Sequence, residues 1–175
     1  MKSIYFLETP YDPAINKDLA SQYVEHLMRT YPGFADTLIY LVNHLKNFTI
    51  KNGEIDNLEK EPNGDLVYKI YTTDLVSGQL KPTIIIKKLR EFDHTYELRI
   101  NQHYFKFRIL FYFNFIPNIS KEEFFVLSYG FSKTDGAYDN TDDFAKSNDY
   151  IKNDILSNNT KSTNDNWLGG VWNEF

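Results

Sequence analysis

The sequence predicts an α+β domain in which an N-terminal helical hairpin packs on a small antiparallel β-sheet, followed by a C-terminal helix or tail. Two observations carry this prediction: residues 14–48 show apolar side chains at helical spacing, and residues 95–131 are rich in β-branched and aromatic residues. A length of 175 residues suits one domain, and a hydrophobic content of 42% with 17% aromatic residues is enough to form a core.

The helical hairpin is predicted from two stretches on either side of a Pro-Gly break. Residues 14–31 place apolar side chains three and four positions apart, and they follow Asp12–Pro13, a pair that is typical of a helix start. Residues 34–48 repeat the helical pattern. Because Pro32–Gly33 favours a short break, the two helices are expected to lie antiparallel.

The sheet is predicted from segments in the middle of the chain. Residues 66–71 alternate in polarity and indicate a strand, and residues 84–86 indicate a short one. The strongest strand signals are residues 95–100, 104–115 and 123–131. Short polar gaps separate these three segments, which favours hairpin connections between antiparallel neighbours.

The second of these strong segments has two different faces. Phe107, Ile109 and Phe111 share one face, which we expect to pack on the helices. Lys106 and Arg108 share the other face with apolar residues. The sequence therefore predicts basic side chains on the face of the sheet opposite the helical hairpin.

The last part of the chain predicts a further helix and a tail. Residues 141–156 suit a helix with acidic residues in its first turn, so residues 1–156 are interpreted as a single domain. Residues 157–175 form the predicted C-terminal tail, which is first polar and then aromatic. Trp167 and Trp172 either dock on the domain or bind another molecule, and docking is the favoured interpretation.

Composition excludes several classes of function. The chain has no cysteine, which rules out disulfides, thiolate zinc sites and cysteine nucleophiles. It has neither a run of eighteen apolar residues nor a secretory signal, so we expect a cytoplasmic protein without a membrane partner. The four histidines lack metal-site spacing, and the chain has no glycine-rich nucleotide motif. No metal and no cofactor is therefore expected.

Charge is unevenly distributed along the chain, although the net charge is −5. Residues 81–108 hold seven basic and three acidic side chains, whereas residues 134–175 hold eight acidic and three basic ones. A basic segment is the electrostatic footprint of a nucleic-acid-binding protein, although charge runs are as often simply solvated faces.

The order of the elements resembles the RelE/HigB group of toxins from bacterial type II toxin–antitoxin systems, which includes phage-derived members. Two helices precede a lysine-leucine segment, a strand with Glu-Leu-Arg, a strand with an arginine in an aromatic run, and a strand ending in Gly-Phe-x-Lys. The matching pieces are Lys87-Lys88-Leu89, Tyr96-Glu97-Leu98-Arg99, residues 107–113 and Leu127-Ser128-Tyr129-Gly130-Phe131-Ser132-Lys133.

The resemblance implies a ribosome-dependent, metal-independent mRNA endoribonuclease that inhibits translation and growth. Its partners would be the ribosome, mRNA and a cognate antitoxin, which is expected to be a helix-turn-helix protein. Arginine suits the phosphate contact because its fork is bidentate and permanently charged. The implied catalytic residues are Arg99, Arg108, Lys133 and Tyr150, and the implied RNA-binding residues are Lys87, Lys88, Arg90, Lys106 and His103.

Other interpretations remain open at this stage. The family usually carries a second lysine after its Gly-Phe pair, whereas Lys133 is followed by Thr134 and an acidic sequence. The alternative is a catalytically inactive protein of the same fold, of phage origin, that inhibits a host or defence protein through its acidic C-terminal region. A third is a structural or regulatory domain in which Arg99 pairs with neighbouring charges on the sheet.

Overall fold

The computed structural model of the chain describes residues 2–7, 19–73, 77–102, 105–115, 123–133, 141–158 and 168–171. The helices are α1 (Ala20–Thr30), α2 (Pro32–Leu45) and α3 (Thr141–Asn158). The strands are β1 (Ser3–Leu7), β2 (Ile50–Lys51), β3 (Glu54–Ile55), β4 (Glu59–Lys60), β5 (Leu66–Thr73), β6 (Leu80–Lys88), β7 (Thr95–Gln102), β8 (Phe105–Phe115), β9 (Glu123–Lys133) and β10 (Leu168–Val171).

One large mixed sheet dominates the molecule. Its eight strands lie in the order β10-β1-β9-β8-β7-β6-β5-β4, and β1 runs parallel to β9 while the other neighbours are antiparallel. The predicted fold class, a helical hairpin on a small antiparallel sheet, is therefore wrong. Local alternation identifies a strand but says nothing about a partner such as β9, which follows β1 by more than a hundred residues.

Helices α1 and α2 cover one face of this sheet. The buried cluster between them includes Leu27 of α1, Leu38 of α2 and the alternate residues Phe107, Ile109 and Phe111 of β8. Burial of large side chains of this kind contributes about 1.5–3 kcal/mol each. This apolar layer is the main core of the protein.

Close packing of α1 on β9 depends on a glycine. A Cβ atom at Gly130 would lie 2.2 Å from Cδ1 of Tyr23, a distance that no side chain tolerates. The glycine of the Gly-Phe-x-Lys piece is thus needed for helix packing, which is a structural role independent of any chemistry at Lys133.

Helix α3 covers part of the opposite face. Its residues Ala145 and Ile151 are buried against the sheet, where they join Leu110 and Tyr112 of β8. The face opposite the helical hairpin, where the basic side chains were predicted, is therefore partly covered by α3.

The ends of the predicted elements also differ from those observed. Helix α1 begins at Ala20, because Leu19 forms a β-bridge to Tyr129; residues 14–18 of the predicted helix lie outside the described residues. Pro32 begins α2 rather than ending α1, a position where its missing amide costs nothing.

The region predicted as a tail contributes a strand. Within residues 157–175, β10 pairs antiparallel with β1, with Val171 opposite Tyr5 and Leu168 opposite Leu7. Trp167 and Trp172, the two side chains predicted to dock, lie outside the described residues.

Candidate anion-binding cleft

An open cleft of about 360 Å³ lies on the α3 side of the sheet. It is bounded by β6 and β7, by the turn that joins them, by the end of β9 and by the start of α3. The basic residues in its wall are Lys87, Arg90, Arg99 and Lys133, and the acidic ones are Asp65, Glu91, Glu97 and Asp142.

The strand register concentrates positive charge beside this cleft. Arg99 of β7 lies directly opposite Arg108 of β8, and Lys106 of β8 lies directly opposite Lys133 of β9. Alternation places all four on the α3 side of the sheet, and we call them the basic patch. Like charges opposed across strands are destabilising unless other charges compensate them.

One buried carboxylate provides compensation within the patch. Glu97 retains only 3% side-chain exposure, and its Oε1 lies 2.5 Å from Nε of Arg108 and 3.6 Å from Nε of Arg99. Arg108, with 2% exposure, also donates from Nη1 to Oδ1 of Asn101 at 2.9 Å and to the carbonyl oxygen of Phe107 at 2.7 Å. Two guanidinium groups thus share one carboxylate.

The polar atoms of this group are incompletely satisfied. Oε1 of Glu97, Nε of Arg99 and Nε of Arg108 are buried without an aligned hydrogen bond, although opposite charges lie close together. A buried charged group without full hydrogen bonding is costly. Nε of Arg99 is closed to solvent, but the side chain as a whole is 22% exposed and lines the cleft, so an anion there can contact the exposed part of its guanidinium.

Arg108 lies on the predicted face of the sheet, but its side chain is buried. Burial lowers the pKa of its guanidinium and the neighbouring Arg99 lowers it further, while Glu97 opposes both effects; an arginine nonetheless stays charged in a protein. Arg108 is almost fully buried and paired with Glu97, and it does not line the cleft. Arg108 therefore lies behind Arg99, whose side chain does line the cleft.

The predicted RNA-binding segment Lys87, Lys88 and Arg90 does not form one surface. Lys87 and Arg90 line the cleft, and each makes a 2.8 Å ion pair with Asp65. The bond from Lys87 lowers the pKa of Asp65 below its ordinary value, so this carboxylate stays ionised between its two cations. Lys88 points to the opposite face, where it pairs with Glu54 at 2.7 Å.

The other predicted residues fall at varied distances from the cleft. Lys133 lies in its wall, and Lys106 is half-buried beside Lys133. Tyr150 is 73% exposed on α3 and does not line the cleft, so its hydroxyl lies apart from Arg99 and Lys133. His103 lies outside the described residues.

A second polar cluster, on the α1–α2 side, was missed by sequence reasoning. It consists of Glu54, Lys88, His94 and Tyr96, which we call the Glu54 cluster. The Tyr96 hydroxyl donates to Glu54 and accepts from the backbone N–H of Ile55 at 3.1 Å. Nδ1 of His94 lies 2.8 Å from the carbonyl oxygen of Gly53 and 3.1 Å from Oε1 of Glu54.

The role of Glu97 was also missed. Its position two residues before Arg99 places both on one face of β7, which was visible in the sequence. The register that sets it between Lys87 and Leu110 is not visible in the sequence. Among the described residues, no three His, Asp or Glu side chains are grouped as a metal site would require.

Comparisons with protein families, with curated proteins and with solved structures found no match to this chain. In the part of the chain that the structure describes, no helix combines the length and hydrophobicity needed to cross a membrane.

Proposed function

We propose that the cleft binds the phosphate backbone of RNA and that the protein is a cytoplasmic mRNA endoribonuclease toxin of a type II toxin–antitoxin system. The observation that carries this proposal is the arrangement of Arg99, whose guanidinium shares one carboxylate with Arg108 and faces an open cleft. A phosphate diester supplies the anionic oxygens that this guanidinium lacks, in a geometry that suits its fork.

The proposed chemistry is attack of a ribose 2′-hydroxyl on the adjacent phosphate, without a metal ion. Charge builds on the phosphate oxygens in the transition state, and Arg99 and Lys133 in the wall of the cleft are placed to stabilise that charge. Lys133 also offers a proton for the leaving 5′-oxygen. Arg108 acts through Glu97 as a positioning residue, because its own guanidinium is enclosed.

The partners in this proposal are the ribosome and a cognate helix-turn-helix antitoxin. An antitoxin that presents acidic side chains to the basic patch would neutralise the charge used for RNA. The described cleft contains no group with the ordinary titration range of histidine, so the ribosome or the RNA itself would have to assist removal of the hydroxyl proton.

The test compares cleavage of mRNA on ribosomes by the full chain and by matched variants. Arg99→Gln and Lys133→Gln each remove a cationic group from the cleft, while Arg29→Gln removes an exposed arginine on α1 as the control. We expect the first two to lose roughly 10²–10³-fold in cleavage rate, as for loss of a single transition-state contact, and the control to match wild type. Expression of the wild-type chain should arrest bacterial growth.

Binding is tested separately with a single-stranded RNA oligonucleotide. We expect affinity to fall with rising salt concentration, and Arg99→Gln to reduce both the affinity and the slope of this dependence. RNA binding without cleavage would contradict the proposed enzyme activity but would support RNA binding in the cleft. Absence of binding, together with harmless expression and intact translation, would overturn both.

A second candidate is a non-enzymatic protein that inhibits a host or defence protein through its acidic C-terminal region. The observation that favours it is the surface of α3, where Asp142 and Asp143 are exposed in the first turn and Tyr150 is exposed farther along. Exposed aromatic and acidic groups together suit a basic protein surface.

Charge reversal tests this candidate better than truncation, because removal of α3 would uncover Leu110 and Tyr112. In a host that carries a defence system, expression of the chain should raise phage plating efficiency. Asp142→Lys combined with Asp143→Lys should abolish that gain. A gain that persists in this double variant would contradict the candidate.

A further inference from the structure

The hairpin of β5 and β6 extends beyond the rest of the sheet. Its outer part pairs Lys69 through Thr73 with Ile84 through Leu80. On one side β4 reaches only Leu66 and Val67, and on the other side β7 pairs with β6 only at residues 86–88. Within the described residues, this outer part, which we call the arm, pairs only with itself.

The arm exposes apolar side chains on one of its faces. Tyr71 is 73% exposed and Leu80 is 68% exposed, and these are two of the four large hydrophobic side chains that are exposed in the described residues. Tyr71 lies opposite the exposed Pro82, and Thr73 lies opposite Leu80, so the three apolar groups form a continuous strip. Such strips on a soluble protein mark interaction sites.

The two strands of the arm differ in how their edges are protected. Residues 80–82 of β6 include Lys81 and Pro82, residue types that discourage strand addition. Residues 70–73 of β5, Ile-Tyr-Thr-Thr, are uncharged and are all favourable in strands. The outer edge of β5 is therefore the better template for an added strand.

We propose that this edge pairs with the same edge of a second copy of the chain. An antiparallel pairing centred on Tyr71 would place Lys69 opposite Thr73 of the second copy, so no like charges would be opposed. The Nζ of Lys69 is already held by Glu61 and lies 3.7 Å from Glu59 of its own chain. The result is an isologous dimer whose two sheets join into one.

In the symmetric pairing the unpaired edge of β5 is covered in both copies by the same residues, so neither copy keeps this edge open. Each copy supplies the same alternating donors and acceptors, and each covers part of the other's apolar strip around Tyr71. An isolated two-stranded hairpin is only marginally stable in water, so the arm itself gains support from a further strand on β5.

Sedimentation of the full chain over a range of concentrations tests the proposal. The wild-type protein should be a dimer that dissociates on dilution, and Tyr71→Lys should be monomeric at the same concentrations. Tyr150→Lys is the matched control, because Tyr150 has the same 73% exposure and lies on α3, and it should remain dimeric. Circular dichroism confirms that each variant is folded.

A pair of variants at Thr73 tests the register. Thr73→Lys opposes Lys69 of the second copy twice across the two-fold axis and should weaken the dimer about three- to tenfold, whereas Thr73→Glu should preserve or strengthen it. A monomeric wild-type chain at all concentrations would overturn the proposal. So would a dimer that survives Tyr71→Lys or that responds equally to both changes at Thr73.

Discussion

Two glutamates on opposite sides of the β6–β7 ladder are surrounded by cations in different ways. Lys88 of β6 reaches Glu54 on the α1–α2 side, while Lys87, the residue before it, lies opposite Glu97 on the α3 side. Glu54 is 29% exposed, and it receives hydrogen bonds from Lys88 and Tyr96. Glu97 is almost fully buried, and its contacts with two arginines are not aligned as hydrogen bonds.

The difference separates a structural cluster from a binding site. The Glu54 cluster joins the β2–β3 hairpin to the turn before β7, and its principal polar groups have partners. A satisfied polar network specifies one structure. The Glu97 group sets two guanidinium groups against one carboxylate, and the exposed part of Arg99 lines a cleft where an anionic ligand can contact it.

The largest expected effect comes from Glu97→Gln. Removing the charge leaves two guanidinium groups without their shared carboxylate, and breaking a buried ion pair in this way costs about 3–5 kcal/mol. Urea denaturation should show this loss of unfolding free energy, while Glu54→Gln should lose less because that site is partly hydrated. Equal losses in the two variants would contradict the distinction between the clusters.

Tyr96→Phe should have the next largest effect. Burial and the bond to Glu54 raise the pKa of Tyr96, so its hydroxyl stays protonated and donates while accepting from Ile55. Its removal leaves buried partners unsatisfied and should cost about 1–3 kcal/mol by urea denaturation. Tyr40→Phe, at an exposed tyrosine, is the control and should change stability by less than about 0.5 kcal/mol.

Gly53→Ala should have a smaller effect on the same cluster. Gly53 has a φ of +76° in the turn between β2 and β3, where an alanine is strained by about 1–2 kcal/mol. Thermal unfolding should therefore move to lower temperature. Gly33→Ala in α2 is the opposite control, because no atom lies within 4 Å of its added Cβ and a helix favours alanine. A shift of the same sign in both variants would be inconsistent with this explanation.

The smallest expected effect is on the pH dependence of stability. Burial alone would raise the pKa of Glu54, but its bonds from Lys88 and Tyr96 lower it overall from 4.5. Because the pKa of Glu54 is lower in the folded state than in the unfolded state, its ionised carboxylate stabilises the protein above pH 4.5. The protein loses this stabilisation as the pH falls through the pKa that Glu54 has in the folded state. Denaturation between pH 7 and 3 should show a shallower acid loss in Glu54→Gln than in wild type, and an unchanged slope would contradict this assignment.

Sequence patterns revealed the strands better than the site. Aromatic and β-branched runs correctly located β7, β8 and β9, because alternation on a pleated surface is a local property. The same alternation placed Arg108 on the mixed face but did not predict its burial, since burial depends on packing between elements that are distant in sequence. Arg99 faces Arg108, and Glu97 lies between Lys87 and Leu110, because of the register between strands. The pattern within one strand does not predict that register.

The parallel pairing of β1 with β9 has a consequence for synthesis. Ser3 lies opposite Phe124, so β1 leaves the ribosome long before its parallel partner β9 and has no place beside it until then. At about 5–20 residues per second, the nascent chain spends roughly 6–24 s with this pairing unformed. Rates of folding fall as contacts become more distant in sequence, so β1 is open to aggregation or chaperone binding during that interval.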